Sequence, residues 1–148
     1  MSENAKNVDI LLVEDSPTDA ELTRVALLEG KIDNTLHRVK DGAEALAFLR
    51  REGTYNQAPR PDLILLDLNL PKISGLEVLR EIRSDANLKA LVVVVLTTSR
   101  DEQDVLAAYG LNSNAYITKP VDMSKFCQVV KELDNFYFHV VTLPPNHQ

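Results

Sequence analysis

Acidic side chains close two aliphatic runs in this chain. Glu14-Asp15 follows Ile10-Leu-Leu-Val13, and Asp67 follows Leu63-Ile-Leu-Leu66. A third run, Val92-Val-Val-Val-Leu96, leads into Thr97-Thr98-Ser99, and Lys119 stands in Thr118-Lys119-Pro120 after Ala115-Tyr-Ile117. Three carboxylates brought together repel one another and raise one another's pKa unless a cation neutralises them. A few hard oxygen ligands with positions left open suit Mg²⁺, which keeps several waters and accepts phosphate oxygens. Lys119 offers a compact positive charge for a phosphoryl group, and Thr97 a hydroxyl that can donate to a phosphoryl oxygen. Together these are the parts for phosphoryl transfer to a carboxylate nucleophile, with Mg²⁺ and lysine neutralising the equatorial oxygens and no acid–base residue required.

For this chemistry to operate, the fold must bring these positions to one place. The runs at 9–14, 62–67 and 91–96 are continuous and aliphatic, as strands covered on both faces require, and weaker strands are expected at 35–39 and 115–117. Helical patterns alternate with them. Ser16-Pro17 places a capping hydroxyl before a proline at the first helical position, and Gly30 ends that segment. Within it Leu22, Val25 and Ala26 share one face. Further helices are expected at 42–51 (Ala45, Leu46, Phe48, Leu49), 76–83 (Leu76, Leu79, Ile82), 101–109 and 124–138 (Phe126, Val129, Val130, Leu133, Tyr137). The order βαβαβαβαβα specifies an α/β fold with an open, doubly wound, five-stranded parallel sheet between helices. Ligands of such sheets bind outside the carboxyl ends of the strands, where Glu14, Asp15, Asp67, Thr97 and Lys119 converge. Residues 53–61, with two prolines, form the longest expected loop.

Composition narrows the possibilities. A chain of 148 residues fits one domain, and at this size roughly 70% of the unfolded surface can be buried without staples. Sixteen basic against 22 acidic residues give a formal charge of −6, which argues against a nucleic-acid or anionic-lipid partner. One cysteine, Cys127, excludes an intramolecular disulfide and a cysteine-rich zinc site, and beside Phe126 it reads as an inert filler. The opening residues lack a signal-peptide profile, so the expectation is a cytoplasmic protein. Glycines at 30, 42, 53, 75 and 110 spell neither a dinucleotide-binding GxGxxG nor a phosphate-loop GxxxxGK[ST]. His37, His139 and His147 are expected away from the strand ends, which removes Ser-His-Asp and histidine-metal chemistry. The acids at 101–104 read as a solvated helix start.

At this point the chain resembles the receiver domain of two-component response regulators over about residues 8–133. The likeness rests on Glu14-Asp15, on Asp67 followed by Leu-Asn-Leu-Pro and Gly75, on Thr97, on Tyr116, and on Lys119-Pro120. It implies a flavodoxin-like (βα)5 sheet in strand order 2-1-3-4-5, with Asp67 as phosphoacceptor and Lys119, Thr97 and Tyr116 as catalytic or switch residues. It also implies a cis Lys119-Pro120 bond. Mg²⁺, replaceable by Mn²⁺ or Ca²⁺, would be held by Asp15, Asp67 and the backbone carbonyl of Asn69, with Glu14 acting through water. Asn69 and Ser99, two residues beyond Asp67 and Thr97, supply no base, so slow autodephosphorylation is expected. Such a protein is not an enzyme in the ordinary sense; it takes its phosphoryl group from a sensor histidine kinase.

The end departs from the usual pattern. Residues 134–148 are too few for an output domain and too apolar for a plain tail. The aromatic cluster Phe136-Tyr-Phe138, Thr142-Leu-Pro-Pro145, Asp41-Gly-Ala-Glu-Ala45 and Leu96-Thr-Thr-Ser99 are similar to stand-alone regulators paired with cyanobacterial phytochrome kinases. That likeness implies a phytochrome-type kinase partner. It also implies a homodimer formed through residues 101–109, 115–117, 124–138 and the terminal extension. Two alternatives stay open: a Mg²⁺-dependent aspartyl-phosphate phosphatase, disfavoured because Asn69 replaces that class's second carboxylate, and a degenerate receiver acting as a constitutive binding module.

Overall fold

The computed structural model describes residues 7–29, 33–111 and 113–133. Its elements are β1 (Val8–Val13), α1 (Pro17–Glu29), β2 (Asn34–Val39), α2 (Gly42–Arg50), β3 (Leu63–Asp67), α3 (Gly75–Ser84), β4 (Val93–Thr97), α4 (Arg100–Ala108), β5 (Ala115–Thr118) and α5 (Met123–Leu133). The strands form one sheet in the order β2-β1-β3-β4-β5 with every pair parallel. The expected architecture and strand order are therefore the observed ones, and the Lys119–Pro120 peptide is cis. Residues 53–61 are not wholly irregular, because Gly53–Tyr55 make one 3-10 turn. The expected continuation of the last helix to residue 138, the aromatic cluster, His139 and His147 lie outside the described residues. No helix among the described residues is long and apolar enough to cross a membrane.

The period of two along each strand divides the core into two layers. Ile10, Leu12, Leu63, Leu65, Val94 and Leu96 pack with Ala26, Leu27 and Phe126 under α1 and α5. Leu11, Val13, Ile64, Leu66, Val93 and Val95 pack with Leu46, Phe48, Leu79, Ile82 and Leu106 under α2, α3 and α4. This two-sided burial is why the strands read as unbroken aliphatic runs.

Of the face that Leu22, Val25 and Ala26 share, only Ala26 is buried. Leu22 and Val25 of α1 are 44% and 38% exposed, and the buried face is Ala20, Thr23, Ala26 and Leu27. The Thr23 hydroxyl is satisfied by donating to Asp19 O at 3.1 Å, so apolarity alone points to the wrong side.

Caps fix where the helices begin. Ser16 Oγ accepts from Asp19 N at 3.2 Å, Asp41 Oδ1 from Glu44 N at 2.8 Å, and Ser74 Oγ from Glu77 N at 3.2 Å. Gly75 opens α3 hard against the end of β3: a Cβ there would lie 2.3 Å from Asp67 O. Only glycine allows that approach.

Candidate functional site

The carboxyl ends of β1, β3 and β4, with the segment after β5, form the site. Parallel registry sets them level: Val13 pairs with Leu66, Asp67 with Leu96, and Thr97 with Thr118. Glu14 and Asp67 are 1% and 2% exposed, whereas Asp15 faces solvent. One carboxylate oxygen from each of the three lies within 4.8 Å of the others.

Lys119 faces this cluster from the β5 side, held by its own amide donating to Thr97 O at 2.7 Å. Its Nζ is 3.1 Å from Glu14 Oε1, 3.2 Å from Asp67 Oδ2 and 2.9 Å from Asp19 Oδ2. Burial works against its charge, but the Asp19, Asp67 and Glu14 carboxylates outweigh that and raise its pKa. Asn69 joins the site through its backbone amide, which donates to Asp67 Oδ1 at 3.0 Å. Thr97 is fully buried beside it, and its hydroxyl has no hydrogen-bond partner.

Tyr116 is placed differently. It is half-buried in β5 and packs against the core layer that contains Leu106 of α4. The structure thus brings Glu14, Asp15, Asp67, Asn69, Thr97 and Lys119 together and sets Tyr116 on the α4 flank.

Sequence reasoning missed two participants. Asp19 makes the shortest ion pair to Lys119, yet an acid in a helix's first turn ordinarily only complements the dipole. Glu102 reads in the sequence as part of a solvated helix start, but it accepts hydrogen bonds from Thr98 N at 2.8 Å and Asn69 Nδ2 at 3.0 Å. Neither signal is visible before the loops are placed in space.

The electrostatics favour a divalent cation. Burial, and next the Asp67 carboxylate, push Glu14 from 4.5 up to about 7, against the opposing pull of Lys119. Glu14 Oε1 is buried without a hydrogen bond, since Lys119 Nζ lies near it but outside hydrogen-bond geometry. An under-satisfied oxygen, two further carboxylates and an exposed side at Asp15 fit a hard cation that keeps part of its water shell.

A pH dependence follows. Folded Glu14 holds its proton up to about pH 7, whereas the unfolded chain releases it near 4.5. Stability is therefore unaffected below 4.5, falls as pH rises through that window, and is lower by about 3 kcal/mol above it. Urea titrations in EDTA are expected to show Glu14→Gln gaining on the wild type from pH 5 to pH 8, and millimolar Mg²⁺ is expected to shrink that gain. A gain that is flat with pH would show that ionisation of Glu14 does not control it.

The chain has known relatives. Response regulator Rcp1 of Synechocystis sp. is 48% identical over 135 residues, which span 91% of this chain and 92% of Rcp1. The crystal structure of the phosphorylated cyanobacterial phytochrome response regulator RcpA matches with a TM-score of 0.76 at 48% identity, covering 94% of this chain and 99% of that one. The Mn²⁺-bound form of Rcp1 matches at 0.74 and 47% identity, covering 93% and 99%. Residues 10–131 match the response regulator receiver domain. The chain accordingly belongs to the receiver-domain family of two-component response regulators, among relatives of the cyanobacterial phytochrome regulators.

Proposed function

We propose that the protein accepts a phosphoryl group on Asp67 from a sensor histidine kinase of phytochrome type and signals through the protein contacts that this changes. The observation that carries it is the buried Asp67 carboxylate, 3.2 Å from the Lys119 ammonium and flanked by Glu14 and Asp15. Asp15, Asp67 and the Asn69 carbonyl would hold Mg²⁺, with Glu14 behind them. The ion, when bound, neutralises charge on the phosphoryl oxygens.

An Asp67 oxygen attacks phosphorus in line with the donor's P–N bond. The imidazole nitrogen leaves with the bonding electron pair and is protonated by water, and an acyl phosphate remains on Asp67. Lys119 neutralises the incoming oxygens, and the unpartnered Thr97 hydroxyl turns its proton to one of them. That movement vacates space towards which Tyr116 packs, altering the α4 surface. Water later attacks phosphorus, restoring the carboxylate and releasing phosphate; with asparagine at 69 and serine at 99 this step has no base and is slow.

The α4 and β5 surface is the proposed dimer face, together with α5 and residues 134–148. Val105 and Tyr109 support it, both large, apolar and exposed.

Acetyl phosphate with Mg²⁺, followed by intact-mass measurement, tests the acceptor. A stoichiometric gain of one phosphoryl group is expected, lost when EDTA replaces Mg²⁺. No gain would point to a constitutive binding module, and turnover of p-nitrophenyl phosphate to a phosphatase. Phosphotransfer compared between a phytochrome kinase and unrelated histidine kinases tests the partner.

A further inference from the structure

Glu102 has both carboxylate oxygens committed to the loops that flank Asp67. Thr98 N donates to Oε1, and Asn69 Nδ2 donates to Oε2. The two donors come from different strand ends, Thr98 directly after β4 and Asn69 two residues past Asp67. Glu102 is the third residue of α4, where a glutamate ordinarily reaches back to the N-cap amide. Here Ser99 at the N-cap makes no side-chain bond, and Glu102 reaches one residue further and also across to the neighbouring loop. A helix cap explains the first bond and leaves the second unexplained.

We propose that Glu102 is a latch on the resting site, holding the Thr98 amide and the Asn69 side chain until phosphorylation of Asp67 displaces it. The inference rests on the reading of Asp67 as acceptor and adds a positioning residue to it. The buried Thr97 hydroxyl stands unpartnered, ready for a phosphoryl oxygen, while the next donor along the chain, Thr98 N, is occupied by Glu102. Asn69 links the two carboxylates directly, giving its amide proton to Asp67 and its side-chain proton to Glu102. A phosphoryl group turns the single negative charge of Asp67 into about two, a net gain of roughly −1, on the far side of that one residue. Repulsion and competition for donors therefore act in the same direction. Release would reach the surface, because Glu102 borders a groove of about 230 Å³ lined by Leu68, Leu76, Val105 and Leu106.

Two variants separate the latch from plain charge and from capping. Glu102→Gln has one oxygen and cannot hold both donors; Glu102→Asp keeps the charge but is one methylene too short to bridge. With acetyl phosphate and Mg²⁺, both are expected to gain the phosphoryl group about tenfold faster than the wild type, because a charge-assisted hydrogen bond no longer opposes closure. If both match the wild-type rate while losing urea resistance, Glu102 is only a cap. If Glu102→Asp alone stays at the wild-type rate, charge and not bridging is responsible; either result overturns the latch and leaves Asp67 as acceptor. A wild type that gains no phosphoryl group overturns the acceptor reading itself. In the wild type, the NMR signals of the Thr98 amide and the Asn69 side-chain amide are expected to move together on phosphorylation. Both staying fixed would refute the latch even if neither variant folds.

Discussion

Asp67→Asn is expected to gain no phosphoryl group under conditions that load the wild type fully, while remaining folded. The first half follows from chemistry. An amide oxygen has its electron density drawn into the C–N bond, carries no formal charge and forms no stable acyl phosphate. The second half makes the first interpretable. Asp67 uses one oxygen for Lys119 Nζ and the other for Asn69 N, so asparagine, neutral and with a single oxygen, forfeits the charge-assisted hydrogen bond to Lys119, about 2 kcal/mol, while Lys119 keeps Glu14 and Asp19 as partners. Against this, Asp67 is the second-largest cause of the raised Glu14 pKa. Removing its charge relieves repulsion worth on the order of 1 kcal/mol above pH 7. The second partly offsets the first, so the urea midpoint is expected to fall only slightly and the variant to stay folded, and missing phosphorylation cannot be blamed on unfolding. Phosphoryl gain persisting in Asp67→Asn would move the acceptor elsewhere and dismantle the proposed function.

The same residues show what a sequence can disclose. The fold was readable because each buried strand is a run of aliphatic residues ending in something polar, and because serine, proline and glycine mark where helices start and stop. Glu14, Asp15, Asp67, Thr97 and Lys119 were readable for a related reason: in a parallel α/β sheet, the end of a strand is already a position in space. Side chains on helices carry no such address. Asp19 and Glu102 both sit in first turns, where acids are commonplace, and what distinguishes them is a partner on another loop. Leu22 and Val25 mislead for the opposite reason. They are apolar at helical spacing, but the face that meets the sheet is the neighbouring one, Ala20, Thr23, Ala26 and Leu27, so they are left outside.

Lys119→Met is expected to cost stability in a way that depends on pH. Methionine keeps the length and apolar stem of lysine but removes the ammonium that lies within 3.2 Å of Glu14, Asp19 and Asp67. Lys119 is only 14% exposed and two of its partners 1% and 2%, so water screens little of the loss. Removing one member of a buried ion pair leaves an uncompensated charge, at a cost of about 3–5 kcal/mol. Protonation is the escape open to the carboxylates. Glu14, already raised to about 7 with the ammonium in place, moves higher still without it. Below pH 5 Glu14 is neutral in both proteins, so only the pairing of the ammonium with Asp19 and Asp67 is lost, and the loss is the smaller one; above pH 8 the ionised Glu14 must also be borne without its counter-charge, and the loss approaches the full figure. Urea titrations of both proteins in EDTA at pH 5 and pH 8 check this. A loss equal at the two values would mean that Lys119 contributes packing and not charge. Millimolar Mg²⁺ is expected to recover much of the stability at pH 8, because a divalent cation neutralises the same oxygens, but not the phosphoryl transfer. On the proposed function the ion and the lysine would substitute for each other in holding the acids together, and only with both present would the charge of an arriving phosphoryl group be met from two sides.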